Sequence, residues 1–134
     1  LEGDLVEKFA ERVRAKNGLL MIHNCGEKIY FDAQIKRMHP DAISFLYPPA
    51  DCKDFAECKE KYGKQTTLIG AVQPTSVTYS TDEQFEDECK KNIELMAAGG
   101  GYVLATGCEY PSDTPLDRAV RMRELAETCG AYGK

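Results

Sequence analysis

The residue types with the most chemistry in this chain sit in two tetrapeptides, His23-Asn24-Cys25-Gly26 and Thr106-Gly107-Cys108-Glu109. Each follows an apolar run, Gly18-Leu19-Leu20-Met21-Ile22 before the first and Gly101-Tyr102-Val103-Leu104-Ala105 before the second. One imidazole and two thiols at the ends of two strands make a donor set suited to zinc, with a fourth coordination position left for a substrate. His23 and Cys25 are two residues apart, so in extended backbone both side chains point to one face. A shared zinc would lie about 2.0–2.3 Å from each donor and hold both cysteines as thiolates. The competing reading is that each cysteine is a small buried hydrophobe that needs no metal. The two readings separate on whether the fold brings the two strand ends together.

The elements that must position these residues follow from the spacing of apolar side chains. Residues 4–16 read as an amphipathic helix, with Leu5, Phe9 and Val13 at helical spacing. Asn17-Gly18 stops it, with the glycine as the left-handed residue. Residues 19–23 then read as a short strand buried on both faces. Further helices are expected over 30–38, 55–62 and 81–97, and further strands over 42–46, 67–72 and 101–105. In the third of these helices Phe85, Cys89, Ile93 and Met96 share one stripe. A last helix is expected to start at Ser112-Asp113-Thr114-Pro115, with Thr114 as N-cap, Pro115 at the first helical position, and an apolar stripe through Leu116, Val120 and Cys129.

Helices alternating with short buried strands imply a parallel sheet with right-handed crossovers. Four strands are too few to close a (β/α)8 barrel, which takes about 250 residues. The α/β fold class therefore leaves two architectures, half of such a barrel or an open doubly wound sheet, in a single unit spanning 1–134. In both, function gathers at the carboxyl ends of the strands. Those ends also carry Tyr47, Gln73 and Glu109, which we expect to line a substrate pocket. Glu109 reads equally as an acid/base group or as a solvated loop carboxylate, and Asp113 as part of a helix start. His39 lies at the opposite end, where a surface role is expected. Gly99-Gly100-Gly101 precedes a strand instead of opening a helix, so it reads as a tight turn and not as a phosphate loop.

Composition narrows the function classes. The 134 residues carry a net charge of -5, which argues against a nucleic-acid binder that neutralises phosphates. No apolar run approaches the roughly 20 residues needed to cross a membrane, and no basic-then-apolar leader pattern is visible. Six cysteines could form a disulfide framework, but here they fall on expected strand ends and helix faces. Reduced thiols in a cytoplasm are therefore expected, with Cys89 and Cys129 in the core and Cys52 and Cys58 incidental.

Three segments together resemble one family: His23-Asn24-Cys25-Gly26, the stretch from Leu68 to Thr75 containing Gln73-Pro74, and the stretch from Gly99 to Pro115 ending in Ser112-Asp113-Thr114-Pro115. They resemble the C-terminal half of the uroporphyrinogen decarboxylase superfamily, and more closely its branch of cobalamin-dependent methyltransferases, such as the methylcobamide:coenzyme M methyltransferases. The resemblance covers the chain from His23 onward. It implies the C-terminal half of a TIM (β/α)8 barrel, built of four parallel βα units. It implies zinc on His23, Cys25 and Cys108, a corrinoid carried by a partner protein, and a small-molecule methyl acceptor such as a thiol or tetrahydrofolate. Many relatives have Asp-Pro where this chain has Gln73-Pro74, so a carboxylate is missing there. Relatives also carry an N-terminal half with substrate and corrinoid contacts. The first residue is not Met, and we expect a fragment or processed product that either self-associates or is a proteolytic piece lacking that half, inactive alone. Two alternatives remain open, a metal-free tetrapyrrole decarboxylase of the uroporphyrinogen type and a non-catalytic, self-associating half-barrel.

Overall fold

The apolar segments of this sequence are too short to bury themselves alone, and they do so by stacking strand beside strand under a layer of helices. The computed structural model describes residues 3–131. In chain order its elements are α1 (Gly3–Arg14), β1 (Met21–Asn24), α2 (Phe31–Met38), β2 (Ala42–Phe45), α3 (Phe55–Tyr62), β3 (Thr67–Val72), α4 (Pro74–Tyr79), α5 (Asp82–Met96), β4 (Tyr102–Thr106) and α6 (Asp117–Cys129). All strand pairs are parallel, and the sheet order is β1-β2-β3-β4. Sequence order equals spatial order, whereas a doubly wound sheet reverses direction at a switch point. The arrangement is that of half a (β/α)8 barrel.

The register sorts side chains into rows that alternate between the two faces of the sheet. Ile22, Ile43, Leu68 and Tyr102 form one row, and His23, Ser44, Ile69 and Val103 form the next. Ile43, Leu68 and Tyr102 are buried under the helices, whereas His23 and Val103 are exposed and Ser44 and Ile69 half-buried. One face is therefore the core and the other is open. The core centres on Phe45 of β2, whose ring meets Phe31 edge-on at 5.3 Å and Phe55 at 5.9 Å. Such pairs add about 0.5–1.5 kcal/mol beyond the area they bury. Helix α5 is held at its start by a capping box between Thr81 and Gln84. It buries Phe85, Cys89, Ile93 and Met96 at the spacing the sequence predicts. Asp54 caps α3, accepting from the Glu57 N–H at 2.8 Å.

Several expectations need correction. The left-handed residue after α1 is Asn17, with φ of 56°. Gly18 is needed for space instead, since a Cβ there would lie 2.9 Å from Val13 Cγ1. The first strand is not buried on both faces: it is a sheet edge, and Met21 is 62% exposed. In α1 the contact residue is Ala10, while Leu5 and Phe9 face outward. The short helix α4 follows β3 directly and was not expected. Thr114 is not an N-cap, because α6 starts three residues later at Asp117. Its side chain is buried, with the hydroxyl 2.7 Å from that of Thr78, tying the loop after β4 to α4. Helix α6 buries Met122 and Leu125, so the predicted stripe is out of phase: Leu116 is 75% and Val120 48% exposed, and Cys129 is exposed as well. The six cysteines are unpaired with one another. Among the described residues no helix is long and apolar enough to cross a membrane.

An ion-pair cluster joins α5 to α6. Glu86 receives Arg121 Nε at 2.7 Å and Lys90 Nζ at 3.2 Å. Arg121 first, then Lys90, holds the Glu86 carboxyl down at about 2, from an ordinary 4.5. A folded-state value below the unfolded one gives stability that is complete above about pH 4.5 and is lost as pH falls through about 2. We expect Glu86→Gln to be less stable than wild type at neutral pH and to lose less stability on acidification across that window. Urea unfolding at a series of pH values checks this, and parallel curves for the two proteins would contradict it.

Candidate metal centre

β1 and β4 are the two edges of a four-stranded sheet. In a flat sheet three strand spacings would separate them by about 14 Å. Yet one ligand atom each from His23, Cys25 and Cys108 all lie within 4.8 Å of one another. The sheet must curve, and the chain must leave β4 toward β1.

Two glycines permit that path. Gly107 follows β4, and its N–H donates to the Val72 carbonyl at 2.8 Å. A Cβ on Gly107 would lie 2.6 Å from Leu46 Cα and 2.8 Å from the Phe45 carbonyl oxygen. The chain leaving β4 therefore reaches across the end of β3 and rests on the backbone at the end of β2. Gly70 in β3 makes room, with φ of 141° and a Cβ position only 2.3 Å from the Phe45 carbonyl oxygen. No larger residue fits either place without moving backbone. Thr106 Oγ1 then donates to the Cys108 carbonyl at 2.7 Å and folds the turn that delivers the thiol.

On the other edge, Asn24 and Gln34 of α2 exchange two side-chain hydrogen bonds, at 3.0 and 2.8 Å. This pins Asn24 to the helix side of β1. Alternation then sends His23 and Cys25 to the open face. His23 Nδ1 lies 3.1 Å from Ser44 Oγ, its register partner on β2. Nε2 is left as the uncommitted ring nitrogen. His23 and Cys25 are exposed and Cys108 is half-buried.

The donor set fits a catalytic type of zinc site, with one imidazole, two thiols and an open fourth position. Tetrahedral zinc keeps such donors about 3.5–3.8 Å apart, so a small contraction from the observed cluster suffices. The remaining thiols are unlike these. Burial pushes Cys58 up and Cys89 up to about 12, and burial with the Asp51 charge pushes Cys52 up to about 11. They are held as thiols, poor ligands and poor nucleophiles. His39 ends α2 at the opposite end of the sheet in a left-handed conformation, as a surface residue, with its carbonyl accepting from Arg14 at 2.6 Å.

The other candidates are placed less closely. Tyr47 follows β2 and Glu109 follows Cys108, one half-buried and the other exposed. Gln73 precedes α4, its N–H donating to Glu88 at 2.8 Å, and it lines a cavity of about 330 Å³ between α3 and α5. Among the described residues no hydrogen bond or ion pair joins Tyr47, Gln73 or Glu109 to the His-Cys-Cys cluster. Sequence reasoning missed Ser44, Gly70, Gly107 and the Asn24–Gln34 pair. The glycines at strand positions carried a signal, since glycine in a strand marks close backbone approach.

The chain matches the family model described as Uroporphyrinogen decarboxylase (URO-D) over residues 3–129. It belongs to the uroporphyrinogen decarboxylase family. That family has the TIM-barrel fold, and its wider superfamily consists in general of enzymes, decarboxylases or methyltransferases. No curated protein and no solved structure matches the chain.

Two outcomes follow from this geometry. Gly107→Ala should displace Cys108 from the cluster and destabilise the fold by about 1–3 kcal/mol, the usual range for overpacking. Denaturant unfolding reads the stability. In timed alkylation, Cys25, Cys108 and Cys129 should label well ahead of Cys58 and Cys89. Peptide mass mapping that found Cys58 labelled as fast as Cys25 would contradict the assignment of core and open face.

Proposed function

We propose that His23, Cys25 and Cys108 hold a zinc ion, and that this chain is the zinc-bearing part of a methyltransferase working with a corrinoid protein. The observation that carries the reading is the convergence of one imidazole and two thiol donors from opposite sheet edges to within 4.8 Å. A family that includes methyltransferases supports it. Bound there, zinc supplies Lewis acidity that lets an incoming thiol react as its thiolate at neutral pH.

The chain's own residues supply the rest. Cys25 and Cys108, as thiolates, balance a double positive charge, so the ligand set is neutral before an acceptor arrives. On the open face of the sheet Ile69 and Val103 continue the His23 row as apolar side chains. Tyr47, Gln73 and Glu109 follow strand ends and are proposed as pocket-lining groups. A corrinoid carried by a partner docked at this face would supply the methyl group, and a thiol or tetrahydrofolate would accept it. The sheet edges carry exposed apolar side chains, Leu19 and Met21 by β1 and Val103 on β4. Four further βα units, from another segment or a second copy of the chain, would cover them and complete the barrel.

Elemental analysis tests the metal directly. Metal-free protein reconstituted with zinc and desalted should retain one zinc per chain. Cys25→Ala and Cys108→Ala should each weaken zinc binding by more than the about 10–100-fold that loss of an outer partner costs. A chain that retains no zinc would favour the metal-free decarboxylase, and full retention by Cys108→Ala would remove that ligand from the set.

A further inference from the structure

We propose that Ser44 is the positioning residue of this centre. Its hydroxyl accepts the Nδ1 proton of His23 and so presents the Nε2 lone pair to the space shared with Cys25 and Cys108. The inference rests on the zinc reading above and deepens it.

A neutral imidazole carries one N–H and one lone pair, and the partner of one nitrogen decides the state of the other. His23 is exposed on an edge strand, so packing does little to orient its ring. The only polar side-chain partner of that ring among the described residues is Ser44 Oγ, at 3.1 Å. The contact is built into the sheet. His23 and Ser44 are register partners on adjacent parallel strands, so both Cβ atoms leave the same face at the same level. Ser44 is flanked in its strand by Ile43 and Phe45, both fully buried, which hold its backbone in place. The next residue in the row is Ile69, which offers no competing hydrogen-bond partner.

The identity of the group also matters. A carboxylate at position 44 would accept the same proton but add a negative charge beside two thiolates. A hydroxyl orients the ring and leaves the charge of the ligand set unchanged. Ser44 reaches the metal only through His23 and touches no reacting atom.

The test compares Ser44→Thr with Ser44→Val. The two differ by a hydroxyl in place of a methyl, and both suit a strand. Competition of the protein against a chromophoric chelator reads zinc affinity. Ser44→Thr should bind zinc as tightly as wild type, and Ser44→Val should bind about 10–100-fold more weakly. Cobalt(II) replacing zinc should give wild-type ligand-field bands in Ser44→Thr and altered bands in Ser44→Val. Imidazole ¹⁵N shifts of the metal-free proteins should report the Nδ1–H tautomer in wild type and Ser44→Thr, and a mixture in Ser44→Val. Equal zinc affinity and equal tautomers in all three proteins would overturn the role of Ser44 while leaving the metal centre standing. A wild-type chain without zinc affinity would overturn both.

Discussion

The close backbone contact between Gly107 and the Phe45–Leu46 end of β2 is the constraint on which the rest of the centre depends. Parallel strands in sequence order place the two reactive tetrapeptides at the far edges of the sheet, where they would not meet. Only a chain without a Cβ at position 107 can leave β4, pass the end of β3 and rest on β2. Gly70 yields the room in between, in a conformation that side-chain-bearing residues rarely adopt. The hydrogen bonds from Gly107 to Val72 and from Thr106 to the Cys108 carbonyl then fix where the thiol ends up. Curvature of the sheet and convergence of the donors are thus one structural event.

Stability and chemistry occupy opposite faces. The aromatic set around Phe45, the stripe of α5 and the thiols of Cys58 and Cys89 lie under the helices. The donors lie on the open face and bury little. Removing a donor therefore takes nothing from the core, while the core thiols, kept protonated by burial, cannot compete for the metal. The six cysteines divide by environment into the pair at the donor cluster, core and surface without any disulfide to hold them.

Much of this was readable beforehand, and the failures share a cause. The alternation of helix and strand, the α5 stripe and the strand-end position of His23, Cys25 and Cys108 all follow from local spacing. Periodicity gave α6 the wrong phase, because Leu116 and Val120 satisfy helical spacing as well as Met122 and Leu125 do. Only packing against β4 and α5 chooses between them. Thr114-Pro115 has the form of a helix start, but the Thr114 hydroxyl is taken by Thr78 from a helix that apolar spacing does not reveal. The edge position of β1 is a property of the assembled sheet and leaves no mark in a run of apolar residues. Ser44 became visible only through register, since nothing in the sequence pairs it with His23.

The register that reveals Ser44 also links the centre to whatever completes the barrel. His23 and Cys25 hang on one sheet edge and Cys108 follows the other. Among the described residues each edge strand is paired on one side only, and such an edge is a template for a partner strand. On the inner side the position of β1 is set by its pairing with β2, by the Ser44 contact and, through Asn24, by α2. Its outer side has no strand partner among the described residues. A strand pairing there would stiffen the segment that carries His23 and leads into Cys25. Completing the barrel and tightening the donor set are therefore coupled through backbone hydrogen bonds, and the zinc affinity proposed for the centre would depend on barrel closure as well as on the three side chains.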